Sequence, residues 1–490
     1  MQKLDSEEFE HLISRLRLLP AENQWVEFKE NNESPDLVGK LVSSLSNSAA
    51  IAGEPMGFAV WGITDSDHEI TGTKFRPFSK KIGNEDFIPW LHRLVSPQIE
   101  FEFQEGLVGG KQLVLMRISA ARSTPTRFKN EGFVRVGSYV KELKLEHDLE
   151  RQLFRSFETF EFEEQLAQSF LEPSEIVQLI DYPSFFKLNG LPLPEKRSEV
   201  VDHLDAAGVV TYSIERNWSI TNLGALLYAT DLRQFSHLKK KIPRVVIYKG
   251  DSRIETLREF PATGGYATIF TAVIDFVENA LPMNEVIQSS GIRESVPMIP
   301  RLVIRELLAN ALLHQDLLEA TMSPMVEVFE SRLEITNPGS PLVDPLRFID
   351  SPSRSRNPKL GDGLRKIGLV EEKGSGWDKI AFSLEVHQLP AAQIVADSAS
   401  TKVIVSGPKS FAAMDKEERI IAAYQHACLN FVSGKDTNNA SIRQRFGIEE
   451  KNKSQASRIL RDAKDSELIV PFDASVGSKS MRYVPFWAVE

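Results

Sequence analysis

The sequence predicts an α+β multidomain chain, and three observations lead there. At 490 residues the chain has material for about three or four domains, each able to bury its own core. Apolar spacing switches along the chain between the alternation of a strand and the three-to-four step of a helix. The balance of 42% hydrophobic and 26% charged residues is that of a folded chain, neither disordered nor built for a bilayer.

Charge and cysteine content exclude several classes. Lys and Arg number 58 against 68 Asp and Glu, a net charge of −10, so no global positive field draws the molecule onto nucleic acid and such binding must use local patches. A lone cysteine, Cys428, excludes an internal disulfide and a Cys-based zinc site. The nine histidines show no paired ligand spacing, and a reducing cytoplasm is the expected compartment. Charges run through the N-terminal MQKLDSEEFEHLISRLRLLP; no export signal is read there, and no stretch approaches the roughly 18 apolar residues of a membrane span.

Four domains are expected, over residues 1–155, 160–238, 240–410 and 414–490. In the first, WVEFK (25–29) and GFAVWGI (57–63) read as strands flanking a helix over 36–50, with further strands at 111–118 and 132–136, an α/β pattern. The acidic stretch 157–165 reads as a junction. In the second, helices around LEPSEIVQLIDY and EKRSEVVDHLDAAGVV precede a turn and WSIT, the order of a winged helix. The third opens on the strand PRVVIYKG, passes a helix ending at His314, then a strand pair, MVEVFE and RLEITN, and reads as an α/β sandwich. The last shows three helices and a hairpin, a second winged-helix candidate.

Candidate chemistry begins in WVEFK. Period two puts Glu27 and Lys29 on one face. A carboxylate that holds Mg²⁺ or Mn²⁺ beside an ammonium that steadies developing phosphorane charge suits phosphodiester cleavage; the same pair also reads as a simple ion pair on a strand. Asp65 follows the GFAVWGI strand, where a neighbouring strand end would bring it beside Glu27. Glu22 stands five residues before Glu27, a spacing that aligns the two only through a bend.

The run Glu22-x4-Glu27-Phe28-Lys29, the helix with Ser46-Asn47-Ser48, the segment Gly57 to Asp65, Ile70-Thr-Gly72 and Phe133-Val-Arg135-Val-Gly137-Ser138 together resemble the divergent AlbA-like domain of Schlafen proteins. The resemblance implies a metal site of three acids at Glu22, Glu27 and Asp65, with Lys29 beside it, Arg135 on nucleic acid, and RNA, tRNA-like above all, as the substrate. The chain departs from the family's Asn-Thr-x-Gly-Gly, with a longer turn from Asn47 to Gly57.

On the helix RELLANALLH, Glu306, Asn310 and His314 stand four apart and share one face. An Asn there suits Mg²⁺ carried by ATP phosphates, and a Glu one turn earlier suits polarising a water; a polar helix face with a satisfied histidine is the other reading. This helix, Arg332 to Gly339 (RLEITNPG), Arg356-Asn357-Pro358 and Gly374-Ser-Gly376 resemble the RecG-like C-terminal domain whose fold is similar to the GHKL ATPases. The resemblance implies ATP, with Glu306 as the water-activating acid, Asn310 as magnesium ligand, His314, Asn337 and Gly339 around the nucleotide, and Gly374 with Gly376 as the lid. The adenine-box aspartate of that family is missing from Asn337-Pro338-Gly339. No Walker A lysine loop or GxGxxG run occurs.

From Ser441 to Arg482 nine Lys or Arg face six Asp or Glu, reversing the sign of the chain. Lys451, Lys453, Arg458 and Arg461 surround the helix SQASRILRDAKDS, and Lys479 and Arg482 fall on the wing, an arrangement suited to phosphates of duplex DNA or structured RNA; dimerisation is the other use of such a module. The combined expectation is a cytoplasmic, metal-dependent endoribonuclease of stress response or phage defence, acting on nucleic acid alone or as a homo-oligomer and not at a membrane. The competing expectation is an ATP-binding, DNA-binding transcriptional regulator without nuclease activity.

Overall fold

The computed structural model describes residues 4–19, 23–158, 161–212, 218–287, 293–352, 354–371, 376–473 and 481–489. The chain is mixed α and β, and its contacts fall into two compact units. The first holds Met1–Tyr182, Pro194–Ala225 and Arg233–Leu238, and the second Pro183–Leu193, Leu226–Leu232 and Lys239–Glu490. Residues read as a domain over 160–238 are therefore shared between the two units. Among the described residues no helix is long and apolar enough to cross a membrane.

In the first unit β1 (Val26–Lys29), α1 (Pro35–Ala52), β2 (Met56–Trp61), β3 (Phe101–Val108), β4 (Lys111–Ser119) and β5 (Glu131–Val136) position the site. The sheet order is β1-β2-β4-β3. β1 runs parallel to β2, with Glu27 opposite Ala59 and Lys29 opposite Trp61, and the other pairs are antiparallel. Apolar side chains leave both faces of β2. Ala59 and Trp61 join Val38, Leu41, Phe103 and Phe128 on one side, and Phe58 and Val60 join Ile13, Trp25 and Phe28 on the other. A strand covered on both faces needs a continuous apolar run, which GFAVWGI supplies.

α1 starts with Pro35 in its first turn and ends at Gly53, whose φ of +74° is the left-handed stop that glycine adopts without strain. It is buried almost all round, including Ser43, Ser46, Asn47 and Ser48. Those polar groups are taken up by backbone that would otherwise lack partners. Asn47 Nδ2 donates to the carbonyls of Thr126 (2.9 Å) and Phe133 (2.8 Å), and its Oδ1 accepts from Thr126 N (2.8 Å). Ser43 Oγ accepts from Phe133 N (2.9 Å) and Ser48 Oγ from Arg135 N (3.0 Å). One turn earlier Gly39 lets the Phe128 ring lie where a Cβ would meet it at 2.3 Å. The helix thus fixes β5 at a set height and register.

The second unit centres on a six-stranded sheet. Its parts are β6 (Arg244–Tyr248), β7 (Thr256–Phe260), α2 (Arg301–His314), β8 (Met325–Val328), β9 (Arg332–Pro338), α3 (Gly376–Val386), β10 (Gln393–Ala396) and β11 (Ser400–Ser406). The order is β7-β6-β8-β9-β11-β10, with only β6 and β8 parallel. Beyond it α4 (Lys416–Val432), α5 (Asn439–Phe446) and α6 (Lys453–Asp465) precede a strand pair, Ile469–Pro471 with Tyr483–Pro485, and enclose a core of Tyr424, Ala427, Ile442, Ile459 and Leu460.

Asn47→Ala removes three hydrogen bonds from an enclosed site. We expect a loss of about 3 kcal/mol in the first unit's stability, seen as a lower urea midpoint at unchanged slope.

Candidate functional site

Two places concentrate the chemistry, one in each unit. In the first unit Glu27 stands in the middle of β1 and is only 3% exposed. Its two carboxylate oxygens are taken by two cations, Oε1 by Lys29 Nζ and Oε2 by Arg135 Nη1. The strand alternation thus places Glu27 and Lys29 on one face as the spacing predicts. Arg135, expected on nucleic acid, is also only 3% exposed. Its guanidinium binds Glu27 and the Gly137 carbonyl (3.3 Å), while its backbone N–H is held by Ser48. An arginine so enclosed has no face to offer a phosphate, because leaving Glu27 would strand a buried charge.

Asp65 is exposed, in the turn after β2. Gly62 N donates to the Lys29 carbonyl at 2.7 Å, which ties the end of β1 to the start of that turn. Glu22 lies outside the described residues. Among the described residues no three His, Cys, Asp or Glu side chains group closely enough to hold a metal ion.

In the second unit a cavity of about 210 Å³ lies between α2, β9, β11 and the start of α3. Glu306, Asn310, His314, Asn337 and Gly376 all line it. Gly339 does not; it forms the left-handed turn after β9 at φ +98°, with its N–H on Ala399 O (2.7 Å). Gly374 lies outside the described residues. A Cβ at Gly376 would come within 3.0 Å of Glu306 Oε2 and 3.7 Å of Asn310 Oδ1, so any side chain here would press on the Glu306 carboxylate. The first turn of α3 opens there, and a helix N-terminus favours anions.

The cavity tunes its titrating groups. Burial pushes the Glu306 carboxyl above its ordinary value against the pull of Arg305, whose Nη1 is 2.8 Å from Glu306 Oε1. Burial also pushes His314 down, with Arg356 adding to the effect, which keeps the imidazole neutral near pH 7. Asn337 spends its Nδ2 on the Pro338 carbonyl (3.1 Å). Sequence spacing did not find Trp377, Ser340, Arg354 or Thr401, which also line the cavity. Only Trp377, beside the glycine pair, carries a local sign of its place. Glu306, Asn310 and Gly376 fit a magnesium nucleotide in donor type and in the room left at the glycine.

On α6 the apolar face of Ala456, Ile459, Leu460 and Ala463 is buried. Ser454, Arg458 and Arg461 fall on the opposite face and are exposed. Lys453 is exposed too, and among the described residues Lys453, Arg458 and Arg461 form no ion pair. Lys451 pairs with Glu449 at 2.5 Å and Arg482 with Asp436 at 3.1 Å. Lys479 lies outside the described residues.

Comparison with known proteins covers parts of both units. The family model "Schlafen, AlbA_2" matches residues 22–144, and the model "Putative ATP-dependent DNA helicase recG C-terminal" matches residues 322–405, a stretch that begins after α2. No curated protein matches. The solved DIP2311 protein from Corynebacterium diphtheriae is similar over 97% of each chain at 17% identity, with a TM-score of 0.41. The N-terminal part of this chain is a Schlafen-type AlbA_2 domain, and its later part carries a RecG-type C-terminal domain.

Proposed function

We propose that this nucleic-acid-related chain is a nucleotide-responsive nucleic-acid-binding regulator. Its second unit binds ATP with Mg²⁺ in the α2 cavity, and α6 with its following strand pair forms a winged helix that lies against duplex phosphates. One observation carries the reading: five residues nominated from sequence, spread from position 306 to 376, line a single cavity. Asn310 would hold the metal of the nucleotide, and bound magnesium would neutralise phosphate charge there. The raised carboxyl of Glu306 suits a group that orients water, and Gly376 leaves room for phosphate at the start of α3. On α6 the exposed Lys453, Arg458 and Arg461 would supply salt-dependent affinity, with Ser454 among them facing the duplex.

A second reading, metal-dependent RNA cleavage by the first unit, is favoured by the Glu27 and Lys29 pair near the exposed Asp65 turn. It requires Glu27 to exchange Arg135 or Lys29 for an ion.

Mg²⁺-ATP should raise the parent's melting temperature; at a hundredfold excess over Kd the stabilisation is about 2.7 kcal/mol. Asn310→Ala should remove that shift in differential scanning fluorimetry. Replacing Arg458 and Arg461 together by Ala should cut the slope of log affinity against log salt by about 2 on a DNA duplex, read by fluorescence anisotropy. Incubated with total tRNA and Mn²⁺, the parent should leave the RNA intact. Discrete fragments from the parent and none from Glu27→Gln would replace the regulator reading with the cleavage one.

A further inference from the structure

The second unit contains two side-chain routes from the cavity to the helices that carry the basic face. Along the first, α3 begins at the cavity, where Gly376 and Trp377 form part of its wall. Nine residues on, a distance of about 14 Å at 1.5 Å per residue, Glu385 sits near the end of the same helix. Its carboxylate accepts from His426 Nδ1 of α4 at 2.9 Å and lies 3.6 Å from Arg445 Nε of α5. One rigid helix therefore has a ligand wall at its first turn and a grip on two helices of the C-terminal module at its last.

That grip is enclosed on its α4 and α5 side, while the Glu385 side chain is 24% exposed. The Arg445 side chain is 4% exposed and that of His426 7%, and Arg445 also donates to the Leu389 carbonyl at 2.8 Å. With Nδ1 donating to Glu385, His426 Nε2 accepts from Asn430 Nδ2 at 3.0 Å. Asn430 in turn donates to Thr437 Oγ1 (3.0 Å), and the Thr437 carbonyl accepts from Tyr483 N (2.8 Å). The chain of bonds ends in the strand pair beside α6.

The second route uses the segment before the cavity loop. Phe348 lines the cavity and meets Trp377 edge-on, with ring centroids 5.1 Å apart. The next residue, Ile349, packs into the core of α4, α5 and α6. Two residues earlier the Leu346 carbonyl accepts from the Tyr424 hydroxyl. Trp377 and Phe348 thus face the ligand space together, and each belongs to a segment anchored in the module.

We propose that nucleotide occupancy of the cavity and the nucleic-acid affinity of α6 are energetically coupled, with Glu385 as the positioning residue that carries the coupling. The proposal rests on the nucleotide-binding reading given above. Its physical basis is that packed helices shift as bodies and do not deform gradually. A ligand that presses on Gly376 and Trp377 and displaces α3 must move Glu385, and the nearly buried His426 and Arg445 would then lose their carboxylate partner at a cost. Coupling of this kind is reciprocal, and where it operates it changes affinity by about 5- to 150-fold.

The test uses the full chain, a labelled DNA duplex and the Mg²⁺ complex of a non-hydrolysable ATP analogue. Anisotropy titrations with and without analogue should show the parent's duplex affinity changing by about fivefold or more. Glu385→Ala should still gain thermal stability from the analogue and still bind duplex, while its affinity no longer responds. Glu385→Gln, which keeps an oxygen for His426, should restore much of the response. Tyr424→Phe, which deletes one hydroxyl of the second route, should weaken it and serves if Glu385→Ala does not fold. Thermal stabilisation of the parent without any change in duplex affinity would overturn the coupling while leaving nucleotide binding intact. An unchanged response in Glu385→Ala would overturn the role of Glu385. Absence of thermal stabilisation in the parent would remove the nucleotide reading and the coupling with it.

Discussion

A helix buried over most of its surface has to dispose of its inward polar side chains, and the first unit is organised by how α1 does so. Ser43, Asn47 and Ser48 bond to the backbone of β5 and the loop before it. That backbone then has no freedom to slide, since a slip of one residue would leave several buried donors unmatched. Arg135 is delivered by this register to Glu27. The pair is thus a product of the helix face as much as of the attraction between the two charges. Buried charges are tolerated where the partners are fixed and paired; the Ser48 bond to Arg135 N supplies the fixing, Nη1 and Nη2 are bonded to Glu27 and the Gly137 carbonyl, and among the described residues Nε has no partner.

The second unit applies a related solution to a different end. On α2 the apolar residues Val303, Ile304, Leu307, Leu308 and Leu312 are buried, while Glu306, Asn310 and His314 turn to a cavity and not to backbone acceptors. The carboxyl of Glu306 bears the cost of that setting as a raised proton affinity. A polar strip that meets backbone is structural; one that meets open space is available for chemistry.

Much of the fold was legible because each segment carries its own period. The strands at 25–29, 57–63, 111–118 and 132–136 and the helix at 36–50 lie within a residue or two of β1, β2, β4, β5 and α1. The helix Ser6–Leu16 and the strand β3 were not read: charges through the first obscured its apolar face of Phe9, Ile13 and Leu16. The second partner of Glu27 was beyond any local pattern, since Arg135 is 108 residues away, whereas Lys29, two residues on, was not. Asn47 bonds to residues 79 and 86 positions downstream, so nothing near it in sequence marks it as buried. Glu306, Asn310 and His314 were found because α2 displays them four apart, whereas Trp377 and Thr401 reach the same space from other elements. The sharing of residues 160–238 between two units is likewise a matter of long-range contact, to which composition is blind.

The cations of α6 have one more consequence in a molecule whose net charge is −10. Acidic surface repels a polyanion within about a Debye length, and Lys453, Arg458 and Arg461, exposed on one short helix, make a narrow window in that repulsion. On the proposed reading, a nucleic-acid backbone approaching α6 would be turned to one orientation before contact. Such an encounter would be selective for angle at the expense of frequency, and added salt would relax both together.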